Sequence, residues 1–145
     1  MATGRIERNS EAFWKSRKNR TFKESPEGIG KALLVQDFSR DPAYRIYNEV
    51  QLRGGRMDLT LNVYGTEYLL ELKMCGGPYA KSYAERGFEQ LEAYMKQREL
   101  MRAYLVVFDG RVSQSGDAAI PMEHELGSGR RIFCVACNVL GIDAE

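Results

Sequence analysis

The chain predicts an α/β fold in which a mixed central sheet is flanked by helices, and three observations carry that expectation. From Tyr44 the apolar positions recur with a period of two, punctuated by Gly54-Gly55 and Gly65-Thr66. A long stretch from about Lys81 to Met101 then carries Phe88, Leu91 and Met95 at helical spacing. After it comes Ala103-Tyr104-Leu105-Val106-Val107-Phe108, a run too apolar to face water on either side. Helix, three strands, helix, strand, strand is the order of a mixed sheet. The helix between the third and fourth strands is long enough for a crossover that leaves those two parallel.

Each element has its own signal. Ser10 ahead of Glu11, Ala12, Phe13 and Trp14 reads as an N-cap and a short amphipathic helix, docked by Phe13 and Trp14, that runs into Lys15, Arg17, Lys18 and Arg20. Pro26 suits the first turn of a second helix, which carries Ile29, Ala32, Leu33 and Leu34 towards Phe38 and is broken by Asp41-Pro42. Strands are expected over 45 to 52, 56 to 64 and 67 to 74, and Cys75-Gly76-Gly77-Pro78 ends the last of them. The apolar strand 103 to 108 stops at Asp109-Gly110, residues 113 to 129 read as a polar, Gly/Ser-rich loop, and Arg131 to Ala136 reads as a final strand.

Composition narrows the class further. A chain of 145 residues buries about two-thirds of its unfolded surface and can hold one core without staples. With 43% hydrophobic and 28% charged residues it is neither collagen-like, disordered nor membrane-spanning. No signal-peptide stretch or apolar span is visible, so a cytoplasmic protein with no membrane partner is expected. Three cysteines suit a reducing compartment. The net charge of +1 hides an asymmetry, because the first 31 residues hold eight Lys/Arg against four Asp/Glu. Residues 1–22 are therefore read as a basic helical segment and 23–145 as the functional domain, with the basic end able to approach phosphate.

The chemistry concentrates in the second and third strands. A tight turn at Gly65-Thr66 would pair Tyr64 with Glu67, Asp58 with Lys73 and Thr60 with Glu71. Alternation then puts Asp58, Thr60 and Asn62 on one face with Glu71 and Lys73, and Leu59, Leu61 and Val63 on the other with Leu70 and Leu72. Asp58 and Glu71 become diagonal neighbours, close enough for one divalent ion to sit between them. Mg²⁺ takes a couple of carboxylate oxygens, a carbonyl, waters and a phosphate oxygen, which is what such a hairpin offers. Lys73 could hold or deprotonate an attacking water. An ordinary half-solvated hairpin shows the same polar face.

The run Gly55-Arg56-Met57-Asp58-Leu59 and, thirteen residues after Asp58, Leu70-Glu71-Leu72-Lys73 resemble the PD-(D/E)XK nuclease signature. Gln90 and Tyr94 in Gln90-Leu91-Glu92-Ala93-Tyr94 match the QxxxY element of many branches of that superfamily. The nearest flavour is the small nuclease-like domain at the C-terminal end of certain AAA-type ATPases, with its GRxDL and ExK pattern, and the resemblance covers about residues 24 to 110. It implies a restriction-endonuclease-like αβββαβ core and a Mg²⁺- or Mn²⁺-dependent nuclease, an endonuclease, acting on DNA ahead of RNA. By the same resemblance Asp58, Glu71 and the carbonyl of Leu72 would hold the metal, and Lys73 would be the catalytic lysine. Gln90 and Tyr94 would contact substrate or orient Lys73. Arg86, one turn earlier, would add a phosphate contact. The family also places a glutamate on the helix before the sheet. Glu27 is the choice because Gly30, Leu33 and Leu34 follow it on the buried stripe, with Glu24 and Glu49 as alternatives. Met57 stands where the signature has proline.

Cys134 and Cys137 have CxxC spacing, but positions three apart on a strand face opposite ways, so buried small side chains are the better reading. His124 is the only histidine, which leaves no multi-His metal site. No GxxxxGK[ST] loop is present, so an ATPase partner must be another domain or chain. A second copy of the chain is a further candidate partner. The rival expectation is a catalytically inactive module that keeps the fold to bind nucleic acid or protein, and an excised domain that needs the rest of its chain for specificity is a third.

Overall fold

The structure, a computed structural model, describes residues 3–52, 55–126 and 129–141. Its elements are α1 (Thr3–Arg8), a 3-10 turn (Ser10–Phe13), β1 (Trp14–Ser16), β2 (Thr21–Phe22), α2 (Pro26–Phe38), β3 (Tyr44–Leu52), β4 (Gly55–Val63) and β5 (Thr66–Cys75). There follow α3 (Lys81–Arg98), β6 (Arg102–Asp109), a second 3-10 turn (Gly116–Ala118), β7 (Glu123–Glu125) and β8 (Arg131–Asn138). Six strands form one sheet in the order β3-β4-β5-β6-β8-β7. The pairs β5–β6 and β6–β8 are parallel and the others antiparallel, so the fold is α/β with a mixed sheet. Among the described residues no helix is long and apolar enough to cross a membrane.

Helices cover both faces, and alternation along the central strands feeds each side. Leu70, Leu72 and Met74 of β5 with Val106 and Phe108 of β6 pack against Leu34 and Phe38 of α2. Leu69 and Cys75 with Ala103, Leu105 and Val107 pack against Ala84, Phe88, Leu91 and Met95 of α3. Two glycines allow the close approach. A Cβ on Gly30 of α2 would lie 2.3 Å from the Phe108 ring, and one on Gly87 of α3 would lie 2.3 Å from Leu105 Cδ1. Phe108 is fully buried and has nowhere to go. Gly30→Ala is therefore expected to destabilise by about 1–3 kcal/mol despite the better helix propensity of alanine, which urea denaturation measures. Gly87→Ala would press on Cδ1, Cδ2 and Cγ of Leu105, which is also fully buried, and is expected to destabilise as well.

Four expectations need correction. The helix expected from Ser10 is one 3-10 turn, after which Trp14 enters β1 and stacks on Phe22 of β2 with ring centroids 4.2 Å apart. Residues 1–22 are accordingly not a separate basic helical segment. Ile6, Phe13, Trp14 and Phe22 share one buried cluster with Cys137 and Val139, and the Trp14 indole N–H donates to the Val139 carbonyl at 2.7 Å. The turn between β4 and β5 is Tyr64-Gly65, not Gly65-Thr66. Both residues have positive φ, 51° and 87°, as a type I′ turn requires. Val63 thus pairs with Thr66 and Leu59 with Leu70, two residues away from the expected register. The expected loop 113–129 contains β7, whose Glu123, His124 and Glu125 pair with β8. Finally, α3 stops at Arg98 because Glu99 adopts φ 54°, turning the chain into β6.

Candidate functional site

The β4–β5 ladder runs from Val63–Thr66 to Leu59–Leu70 and stops, while β5 continues to Cys75. Strict alternation breaks at the same point. Leu59 and Leu61 pack on the α2 side, but Met57 belongs to the cluster under α3. Between them Asp58 turns towards the open edge of β5 and remains, as expected, a neighbour of Glu71, within hydrogen-bond reach of its carboxyl. Two carboxylates occupy that edge. The Leu72 N–H donates to Asp58 Oδ2 at 3.0 Å, and the Met74 N–H donates to Glu27 Oε1 at 3.3 Å. Within a strand a residue's N–H and C=O face the same neighbour, so the Leu72 carbonyl faces this gap as well.

Glu71 and Lys73 alternate with those residues and project to the α3 side, 4% and 8% exposed. Tyr83, in the first turn of α3, donates its hydroxyl to Glu27 Oε1, and the Lys73 ammonium lies 4.7 Å from the centre of its ring. Tyr94 is buried three turns further along the helix. Burial and then the charges of Glu71 and Asp58 push its hydroxyl above its ordinary value. Burial, then a hydrogen bond and the charge of Asp58, hold the Glu71 carboxyl well above the usual carboxylate range, against the opposing pull of Lys73.

The structure therefore brings Asp58, Glu71, Lys73 and Glu27 together, with the Leu72 backbone and Tyr94 alongside. Glu24 is exposed, and the side chain of Glu49 on β3 lies outside the described part. Gln90 and Arg86 are exposed; helical spacing sets them on the flank that carries Tyr83 and Tyr94, not packed against the acids. Tyr83 was not singled out from the sequence. Its one signal is a spacing of eleven residues, three helical turns, ahead of Tyr94. Tyr83→Phe keeps the ring under Lys73 and removes the donor to Glu27, with an expected loss of about 1 kcal/mol in denaturant unfolding. Tyr83→Leu is expected to lose about 1 kcal/mol more, as the cation–π contact goes too.

Does this donor set suit a hard divalent ion? Glu71 Oε2 is buried with no hydrogen-bond partner among the described residues. It stands beside Asp58, and Glu27 also raises its proton affinity. Buried anions crowded in this way need a proton or a cation between them. Among the described residues no three His, Cys, Asp or Glu side chains are grouped as a complete ligand set. Two carboxylates and a carbonyl, with the rest of the shell left to water and phosphate oxygen, is nonetheless a set that Mg²⁺ accepts and Zn²⁺ does not favour.

The remaining thiols and imidazole sit elsewhere. Cys137 packs in the α2-side cluster and Cys134 against the α3-side one. Burial pushes both thiols up to about 12, which disfavours the thiolate a metal would need. His124 stacks on Phe88 at 4.8 Å. Set against protein-family models, curated proteins and solved structures, the chain matches none of them significantly.

Proposed function

We propose that the protein hydrolyses phosphodiester bonds in nucleic acid, DNA ahead of RNA, with the help of Mg²⁺ or Mn²⁺, on a restriction-endonuclease-like core of the PD-(D/E)XK kind. The observation that carries this reading is the buried Glu71 carboxylate, its Oε2 unmet, beside Asp58 and on the same strand face as Lys73. The succession α2-β3-β4-β5-α3-β6 is that of an αβββαβ core and supports it.

Asp58, Glu71 and the Leu72 carbonyl would hold the ion, which when bound supplies Lewis-acid polarisation of the scissile phosphate. Lys73, kept in place over Tyr83, is the group that takes a proton from the attacking water or stabilises the charge that develops on phosphate oxygen. Glu27, fixed by Tyr83 and the Met74 N–H, holds the edge of β5 open at the site. Tyr94 closes the inner wall and excludes bulk water. Arg86 and Gln90, on the exposed flank of α3, meet the substrate backbone as it enters.

The test is cleavage of single-stranded, duplex and branched DNA and RNA with Mg²⁺ and Mn²⁺, using wild type and Lys73→Ala. Loss of cutting in the variant supports the reading, and equal activity in both proteins defeats it. One observation favours a second reading, a module without catalysis. Asp58 and Glu27 already serve as acceptors for the unpaired N–H groups of β5, a purely structural use. Calorimetry with Mn²⁺ separates the two. Binding that Asp58→Ala abolishes favours the nuclease, and no binding by either protein favours the module.

A further inference from the structure

The inner wall of the acid site holds a second buried polar atom without a partner. Thr60 of β4 is 2% exposed, and its Oγ1 meets no hydrogen-bond partner among the described residues. Thr60 pairs with Leu69 of β5, which packs under α3, while Leu59 and Leu61 on either side of it pack under α2. Alternation therefore sets Thr60 on the face of Glu71, which stands two residues beyond Leu69 and is the diagonal neighbour of Thr60 across the ladder. The sequence alone predicts the two directly opposite; the shifted register makes them diagonal and keeps them on one face.

The other polar groups around Thr60 are already engaged. Glu67, its diagonal neighbour on the far side of Leu69, accepts from Arg98 through both carboxylate oxygens at 2.6 Å. Asn62, next on the same strand face, accepts from the Gly65 N–H at 2.9 Å, and Asp58 accepts from the Leu72 N–H at 3.0 Å. Among the described residues the only buried side-chain oxygens left without a partner are Thr60 Oγ1 and Glu71 Oε2. They share one face of one hairpin. Valine has the shape of threonine and no hydroxyl to desolvate, so packing under α3 alone gives no reason for threonine here.

We propose that Thr60 is a positioning residue of the acid site: its hydroxyl donates to a buried water, which donates in turn to Glu71 Oε2 and fixes the direction in which that carboxylate faces the metal. The inference rests on the metal-dependent reading of this site. Buried polar groups that do not reach one another are joined by water in this manner. Neither atom then stays unmet, and Glu71 keeps its other oxygen on the side of Asp58, with which it shares a hydrogen bond. Groups that orient a ligand set metal affinity nearly as firmly as the ligands themselves.

Calorimetric titration of the full chain with Mn²⁺ tests it, on Thr60→Val and Thr60→Ser beside wild type. Valine keeps the shape and loses the hydroxyl, whereas serine keeps the hydroxyl and loses a methyl group. A packing role and a positioning role therefore rank the two variants in opposite order. Thr60→Val is expected to bind Mn²⁺ about tenfold more weakly than wild type, and Thr60→Ser to stay within about twofold of it. Thermal unfolding in EDTA is expected to show the reverse, with Thr60→Ser melting below Thr60→Val because of the lost methyl. Wild-type affinity in Thr60→Val, or weaker binding by Thr60→Ser than by Thr60→Val, overturns this inference and leaves the acid site standing. No Mn²⁺ binding by wild type overturns the reading of the acid site and this inference with it.

Discussion

Glu71→Gln is expected to make the metal-free protein more stable and to leave it unable to bind Mn²⁺ or cut. Glu71 is 4% exposed and lies against Asp58, so its native state retains a proton through burial and through the shared hydrogen bond. The unfolded chain gives that proton up above the ordinary value of 4.5. The native state's advantage from holding it is therefore complete below pH 4.5 and is lost as pH rises towards about 9. Glutamine has nothing to titrate, and its amide offers Asp58 a donor at every pH, as the Glu71 carboxyl does only while it holds its proton. Its lead over wild type should be small at pH 5 and reach on the order of 1–3 kcal/mol above neutrality. Thermal unfolding in EDTA at pH 5, 7 and 8.5 measures the trend, and calorimetry measures the ion. A variant less stable than wild type at all three values, with Mn²⁺ binding intact, would show that the buried carboxylate is neither costly nor a ligand. Gains in stability on removing a working group are the usual mark of a functional site.

Lys73→Met is expected to reduce cleavage by on the order of 10² to 10⁴ while Mn²⁺ affinity stays equal or rises. Methionine fills the space of the lysine stem, which is 8% exposed, and keeps the strand packed under α3. Removing a cation beside Glu71 also removes a competitor for the bound ion, since Lys73 favours the charged form of that acid. Turnover lost with binding retained would place Lys73 in the chemical step and not in the assembly of the pocket. Lys73→Arg refines the result. Arginine keeps the charge but does not release a proton near neutrality, so partial rescue indicates a charge-stabilising role and no rescue indicates proton transfer. Cleavage unchanged in Lys73→Met would remove the lysine from the mechanism.

Much of this site is legible in the sequence because side-chain direction along a strand survives small errors. The turn at Tyr64-Gly65 moves the β4–β5 register by two residues, and a shift of two keeps Glu71 and Lys73 on the face where alternation puts them. The turn itself is hidden, since only Gly65 advertises a positive φ and Tyr64 does not. Glu27 is legible through its place beside the Gly30 and Leu34 stripe of α2. What cannot be read is the break at Asp58, which arises where β4 leaves β5, and the hydroxyl of Tyr83, whose partner is 56 residues away. The strand β7 is equally silent. Glu123-His124-Glu125 has no apolar alternation and owes its conformation to pairing with β8. At the N-terminus helical spacing is present, but the stacking of Trp14 on Phe22 and its bond to Val139 win over it.

That last bond spans 125 residues, and a second tie, from Glu7 Oε2 to the Asn138 N–H, spans 131. During translation the partners of Phe13, Trp14 and Phe22 around Val139 are therefore synthesised long after those rings have left the ribosome. The nascent polypeptide must carry this greasy stretch unsheltered in the meantime. Lys15, Arg17, Lys18 and Arg20, threaded between the rings, act as gatekeepers that hinder self-association until β8 emerges.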